Sequence, residues 1–325
     1  MRVIFFFLVL LSATAPWASE AEYLAHGRFL PIATASNGYV QEVRTVADGG
    51  VEVRVTATHA PIGATGSYTA VAGSDRPAIP AGFFLPPQLL AKLRPEIGAW
   101  DAATRILEWT ADRVKVDSSE RGPQDAVSVL ARGRGRCSGL ANSAVALLRT
   151  AGFEARTVSG LLIADDGPIR HRWLECRLPG AGWVPSDPTF GLWIVTARHV
   201  TFADTVVQIP EIRVLRGREN GLESLPRRGS RVLRPNQGAD LICRLSTVQK
   251  GVVPVAVLRG GDGDVRRALL DPEARFSGLL PGRWILEIMD GGVVVERQEL
   301  ILRSGDVHSY VVSGLSGSRP KEVGS

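Results

Sequence analysis

Cys137 differs from the other two cysteines of this chain in its setting. It stands in G-R-C-S-G-L, with no apolar residue before it and Ser138 and Gly139 after it. Cys176 lies in L-E-C-R-L and Cys243 in L-I-C-R-L, where alternation puts each on an apolar strand face. A thiol becomes a useful nucleophile only when it loses its proton. A helix N-terminus supplies partial positive charge and free N–H groups that favour the thiolate. An imidazole within reach favours it further and can shuttle the proton. A third group must hold that imidazole in one tautomer. Of the five histidines, His171 is the best partner for Cys137. His26 and His59 fall in a β-rich N-terminal part, His199 follows the core, and His308 lies among the last strands. Asp187, in W-V-P-S-D-P-T, follows His171 by 16 residues (187 − 171) and suits the third role. Arg136, beside Cys137, could lower its pKa further.

These residues need elements to position them. Leu140, Ala144, Leu147, Leu148 and Ala151 recur on one helical stripe, with Gly152 placed as a stop, so a helix begins at Cys137. Trp100, Ala103, Leu107, Thr110, Ala111 and Val114 predict an amphipathic helix over about 97–114. A short helix is expected at Gln124–Ala131, followed by the irregular R-G-R-G-R. Strands are expected at Ala155–Ala164, at Ile169–Leu178, which carries His171, and at Trp183–Pro185, just before Asp187. A helix with a cysteine at its N-terminus, on antiparallel strands, is an α+β arrangement.

The segment G-R-C-S-G-L-A-N-S-A-V-A-L-L-R-T-A-G-F-E-A-R-T-V-S-G, Gly135 to Gly160, resembles the nucleophile block of bacterial transglutaminase-like domains. The segment H-R-W-L-E-C-R-L-P-G-A-G-W-V-P-S-D-P-T resembles their His and Asp blocks, and the likeness extends over roughly 84–200. It implies a papain-like core with Cys137 as nucleophile, His171 as base and Asp187 as orienting group. It implies a cleft walled by Trp173 and Trp183 and modified by Arg172, where a small residue commonly stands. The implied activity is thiol acyl transfer on peptide or amide bonds, with a cysteine peptidase or amidase ranked first. A protein-crosslinking transglutaminase is the alternative. A non-catalytic envelope binding or adhesion module is a third reading, disfavoured because such a relic needs no complete triad. No cofactor is implied. No Cys/His spacing suggests zinc, and G-G-D-G-D, with Asp262 and Asp264, reads as a turn before it reads as a calcium site.

The 45% hydrophobic and 22% charged composition is that of a globular chain long enough for two or three domains. A net charge of +5 without a patterned basic face gives no case for nucleic acid. Arg2, the apolar run Val3–Leu11 and the small residues after it have the form of a secretory leader. Both Ser19-x-Ala21 and Ala13-x-Ala15 fit the cleavage rule; an uncleaved anchor is the alternative. The protein is therefore expected in the periplasm or outside the cell, with no integral span in the mature chain and a protein or peptide as substrate. Export permits disulfides, yet three cysteines leave at least one unpaired. A Cys176–Cys243 bridge is the lesser reading of the other two.

The expected organisation is a leader at 1–21, a β-rich region at 22–90 and a catalytic domain at 91–205. A basic linker at 206–238, a β-sandwich at 239–315 and a tail at 316–325 follow. The N-terminal region should hold a hairpin of Tyr39–Val46 with the strand from Val51, joined by A-D-G-G. Seven arginines between Arg213 and Arg234 suggest a solvated loop or a patch for an anionic envelope polymer. In the last region, F-S-G-L-L-P-G-R-W-I-L-E-I resembles prealbumin-like, carboxypeptidase-regulatory-like modules.

Overall fold

A computed structural model describes residues 18–58, 66–68, 83–94, 96–164, 166–193, 195–217, 239–246, 253–261, 265–303 and 306–313. The leader's apolar run, the arginines from 218 to 234 and the Asp262–Asp264 turn lie outside these residues. The fold is α+β and strand-rich, with helices packed on an antiparallel sheet between β-rich flanks.

The first strands are β1 (Ala18–His26), β2 (Thr34–Ser36), β3 (Tyr39–Thr45) and β4 (Val51–Thr58). The alternating run V-E-V-R-V buries Val51, Val53 and Val55 and turns Glu52 and Arg54 outward, as period 2 requires. β3 and β4 pair antiparallel as the expected hairpin, with Tyr39 opposite Ala57. β1 pairs with β4 from Ala18 onward, so the strand begins inside the stretch assigned to the leader. On the other side of β1 lies β12 (Glu211–Gly217), antiparallel, in a five-stranded sheet ordered β12-β1-β4-β3-β2. The stretch expected to be linker thus includes an edge strand. Its basic residues disguised it: Arg213 is exposed, and a strand at a sheet edge needs little apolar surface.

Among the described residues four helices follow: α1 (Pro87–Leu90), α2 (Ala99–Arg113), α3 (Ala126–Arg132) and α4 (Cys137–Thr150). In α2 the buried stripe is Ala99, Ala102, Ala103, Ile106, Leu107 and Thr110. It lies slightly off the expected phase, leaving Trp100 and Ala111 only half-buried. Asp125 caps α3 by accepting the Ser128 N–H at 2.9 Å. Gly133 ends α3 at φ +67°, a conformation that glycine adopts without strain. The two-residue strands β5 (Lys115–Val116) and β6 (Arg134–Gly135) then pair in parallel, so R-G-R-G-R does carry a small regular bridge. Leu140, Ala144, Leu147 and Leu148 bury one face of α4, and Gly152 sits at φ +96° just past its end.

β7 (Ala155–Ala164), β8 (Gly167–Leu178), β9 (Gly182–Asp187), β10 (Leu192–Trp193) and β11 (His199–Phe202) form an antiparallel sheet ordered β10-β9-β8-β7-β11. Its Leu174, Cys176, Leu178 and Val184 share a core with α2 and α4. Its Leu161, Ile163, Trp173 and Val200 share a second core with Tyr23, Val53 and Val55 of the N-terminal sheet. The N-terminal sheet and the sheet carrying His171 therefore form one packed body rather than two separate layers of structure.

The last strands are β13 (Ala239–Leu245), β14 (Val255–Gly260), β15 (Val265–Leu269), β16 (Glu273–Leu279), β17 (Gly282–Asp290), β18 (Val293–Leu302) and β19 (Val307–Val312). They build sheets ordered β16-β13-β19 and β15-β14-β17-β18 around one core that includes Leu241, Phe276, Trp284 and Leu286. Among the described residues, no strand of this sandwich joins the earlier sheets.

Candidate active site

Cys137 is the first residue of α4, and no side chain caps that helix start. The segment before it is braced from α3's entry. Gln124 Oε1 accepts the Arg136 N–H at 2.8 Å, and Asn142 Nδ2 reaches back to the Gln124 carbonyl at 2.8 Å. Gly139 makes this close fit feasible. A Cβ there would sit 2.6 Å from Gln124 Oε1 and 2.8 Å from a Val129 methyl. The first turn of α4 is thus pinned with its N–H groups uncommitted to a cap, where they and the helix dipole act on the sulfur.

β8 brings His171 against Cys137, and β9 brings Asp187 against His171. His171 Nε2 donates to Asp187 Oδ2 at 2.6 Å, a short charge-assisted bond in a buried setting. That leaves Nδ1 as the ring nitrogen for the Cys137 sulfur, which hydrogen-bonds His171 and also accepts the Arg172 backbone N–H. Asp187 is fully buried, and its Oδ1 accepts the Thr189 N–H at 2.9 Å.

Electrostatics follow from this arrangement. Burial alone would push Asp187 up, but the charge and hydrogen bond of His171, with a further bond from His199, hold it well below the usual carboxylate range. Burial would lower His171, yet Asp187 and the sulfur carry it to about 10. Burial would raise Cys137, and His171 with the Arg172 N–H outweighs it, so the thiol lies below its ordinary value. The other two cysteines go the opposite way: burial raises Cys176, and it raises Cys243 to about 12. All three are free thiols, with Cys176 and Cys243 in different cores, so no bridge joins them.

Trp173 lies under the site, its ring 6.1 Å from the His171 ring and nearly parallel to it. It is buried to 1% exposure, so it backs the imidazole rather than facing open solvent. Gly160 gives it room, since a Cβ there would be 2.1 Å from the Val200 carbonyl oxygen and 2.6 Å from the Trp173 ring. Trp183 does not join the site. It stands four residues from Asp187 along β9, roughly 13 Å, beneath the Arg156 guanidinium at 4.4 Å. Arg156 also binds the buried Glu175 at 2.7 Å, so Trp183 belongs to that ion-pair stack. The Arg172 side chain is tied to Thr205 Oγ1 at 2.8 Å, and only its backbone N–H meets the sulfur.

His199 and Phe190 enter the site without having been expected there. The Phe190 ring is 5.8 Å from His171. His199 Nε2 lies 3.1 Å from Asp187 Oδ2, the same oxygen that serves His171. The only sequence signal for His199 was its place in R-H-V-T-F, where Val200 and Phe202 alternate with polar residues as in a strand. The ligand atoms of His171, Asp187 and His199 all lie within 4.8 Å of one another, a set that could hold a cation. Each is engaged here by a hydrogen bond to another member of the set.

Residues 87–188 match the family model of the transglutaminase-like superfamily. Among solved structures, a candidate cysteine protease from Cytophaga hutchinsonii is similar at 16% identity, over 61% of this chain and 83% of that one, with a TM-score of 0.35. The periplasmic domain of TgpA from Pseudomonas aeruginosa is similar at 15% identity, over 53% and 70%, with a TM-score of 0.30. No curated protein sequence matches this chain.

Proposed function

We propose that this chain, whose residues 87–188 form a transglutaminase-like core, is an exported thiol enzyme that cleaves peptide or amide bonds through Cys137, His171 and Asp187. The observation that carries the reading is the polarised chain from sulfur to carboxylate. Cys137 alone among the cysteines has its pKa lowered, and it is bonded to an imidazole that is itself bonded to a buried carboxylate.

The chemistry follows from those contacts. The Cys137 thiolate adds to the amide carbonyl carbon, and the carbonyl π electrons move to oxygen. Backbone N–H groups at the start of α4, which no side chain caps, are the donors assigned to that oxyanion. The intermediate collapses with loss of the amine, which takes the proton from His171 and leaves a thioester on Cys137. His171 then removes a proton from water, hydroxide adds to the thioester, and a carboxylic acid leaves as the thiolate and imidazolium are restored. Asp187 stays ionised throughout and holds the ring in the tautomer whose Nδ1 faces sulfur. An amine in place of water would give a new amide by the same steps.

Incubation of the purified protein with a peptide library, with and without an added primary amine, tests the reading by product mass. Shortened peptides without amine adducts are expected, and amine adducts would replace hydrolysis by transfer. The Cys137→Ala protein should give neither product while melting within a few degrees of the parent. Undiminished products from that variant would sink the proposal.

A further inference from the structure

The second histidine on Asp187 sits in a setting that fixes its protonation state. His199 is fully buried on β11. Its Nε2 is 3.1 Å from Asp187 Oδ2, and its Nδ1 is 3.2 Å from the Thr196 hydroxyl. The Thr196 oxygen is also 3.3 Å from the Arg198 N–H, which it can only accept. The Thr196 hydroxyl can give its own proton to His199 Nδ1, an arrangement in which Nε2 is the protonated nitrogen. An Nε2–H facing a carboxylate is the favourable polarity; a lone pair there would be repelled. Burial is the largest influence on the His199 ring, and it favours the neutral form. Burial disfavours the imidazolium, and the positive His171 ring, 5.7 Å away, adds to that; Asp187 opposes both and does not prevail. Arg198, its neighbour, directs its guanidinium to the Ile163 carbonyl at 2.9 Å. From the N-terminal sheet the Tyr39 hydroxyl meets the His199 carbonyl at 2.6 Å, and burial keeps that phenol un-ionised.

We infer that His199 is a positioning residue for the reaction: as a neutral Nε2–H donor it locks the Asp187 carboxylate in the orientation that holds His171. The inference rests on the thiol reading proposed above. With the Thr189 N–H on Oδ1 and two imidazole N–H groups on Oδ2, the carboxylate has three donors and cannot rotate without losing one. Trp173 stands edge-on to the His199 ring at 5.2 Å and nearly parallel to His171, so both imidazoles are set against one indole. A neutral His199 donates to the carboxylate without competing for the role of imidazolium.

The test compares His199→Phe, His199→Gln and Thr196→Val with the parent. Phenylalanine keeps a flat ring but no donor. Glutamine can return an N–H toward Asp187. Valine removes the hydroxyl that sets the tautomer and keeps the shape. In His199→Phe, kcat on a peptide substrate should fall about 10- to 100-fold, the size of loss typical when an outer hydrogen-bond partner of a reactive group is removed, with KM changed less than about twofold because substrate contacts are untouched. His199→Gln should recover most of the loss, and Thr196→Val should lose part of it. Nitrogen-15 spectra of histidine-labelled protein should show His199 as the neutral Nε2–H tautomer while His171 is an imidazolium, and the His171 resonances should shift in His199→Phe. Spectra showing His199 charged or protonated at Nδ1 would overturn the inference, even if the phenylalanine variant failed to fold. So would full kcat in His199→Phe. Alkylation of Cys137 by iodoacetamide separates the two readings. If Cys137 is needed and reactive while His199→Phe behaves as the parent, only the role of His199 fails; if Cys137→Ala stays active, the thiol reading fails first.

Discussion

At the scale of residues, the Asp187 carboxylate has no neutral substitute. Oδ2 faces two imidazole N–H groups and Oδ1 faces the Thr189 N–H. In Asp187→Asn the amide N–H₂ must face donors whichever way it is turned. Either the Thr189 contact breaks, or both histidines meet an N–H and at least one changes tautomer. Peptide cleavage in Asp187→Asn should drop by roughly 10³- to 10⁴-fold, the loss expected when a catalytic imidazole takes the wrong tautomer. Retention of a tenth of the activity would show that the carboxylate does not orient His171. The same contacts set the pH profile. Raising pH first takes the proton from Cys137, at a value below the ordinary thiol's, and activity rises. His171 keeps its proton until about 10. Above that it has none to give the leaving amine, and activity falls. Rates of iodoacetamide capture at Cys137, followed against pH, should rise on the acid side of an ordinary thiol. A rise only near pH 9 would contradict the lowered Cys137 pKa.

At the scale of elements, two glycines let neighbouring segments approach the site. Gly139 admits Gln124 and Val129 to the first turn of α4. Gly160 admits the Trp173 ring and the β11 backbone to the centre of β7. The Gly160 contact is the stricter, because the nearest atom is the Val200 carbonyl oxygen in the adjacent strand, which cannot swing aside as a side chain can. Gly160→Ala should cost at least about 2 kcal/mol by overpacking. It should also lower activity by moving Trp173 off His171, and urea unfolding beside a peptide-cleavage assay checks both. A variant as stable as the parent would mean that β7 and β11 can separate at no cost.

At the scale of the whole molecule, the N-terminal sheet is part of the site's support. The buried Gln41 side chain pairs with the Thr201 backbone like a strand, accepting its N–H at 2.8 Å and donating to its carbonyl at 2.9 Å. The Tyr23 hydroxyl donates to the Ala197 carbonyl at 2.8 Å. These bonds hold β11 and the turn before it, and with them His199. Export, as proposed above, then bears on the fold, because β1 pairs with β4 from Ala18 and Glu20 is ion-paired with Arg54. Cleavage after Ala21 would remove four residues of that ladder. Mass spectrometry of exported protein should find a mature N-terminus at or before Ala18; a terminus at Glu22 would show that the strand is dispensable. No helix among the described residues is long and apolar enough to cross a membrane.

Local pattern was enough for α4, β7, the hairpin of β3 and β4, and β19, each with bounds within a residue or so. A period of 3.6 or 2 and a flanking glycine or turn are properties of adjacent residues. The distinction of Cys137 from Cys176 and Cys243 was legible for the same reason, since a helix start and an apolar strand face are written in immediate neighbours. What lies across the fold was not legible. Trp183 shares a strand with Asp187, yet the position of Arg156 on β7 draws it into another cluster. β12 looked like linker because edge pairing to β1 is made by backbone groups that leave no mark in composition. His199 is 12 residues beyond Asp187 and on the far edge of the sheet. Only the order β10-β9-β8-β7-β11, with Gly160 thinning the strand between, turns it onto the same carboxylate as His171. Immediate neighbours in the chain mark which residues can react and which short elements carry them. The tertiary structure decided which polar groups meet, because hydrogen bonds of a few ångströms depend on strand order and register, and these join residues too far apart in the chain for any local pattern to record.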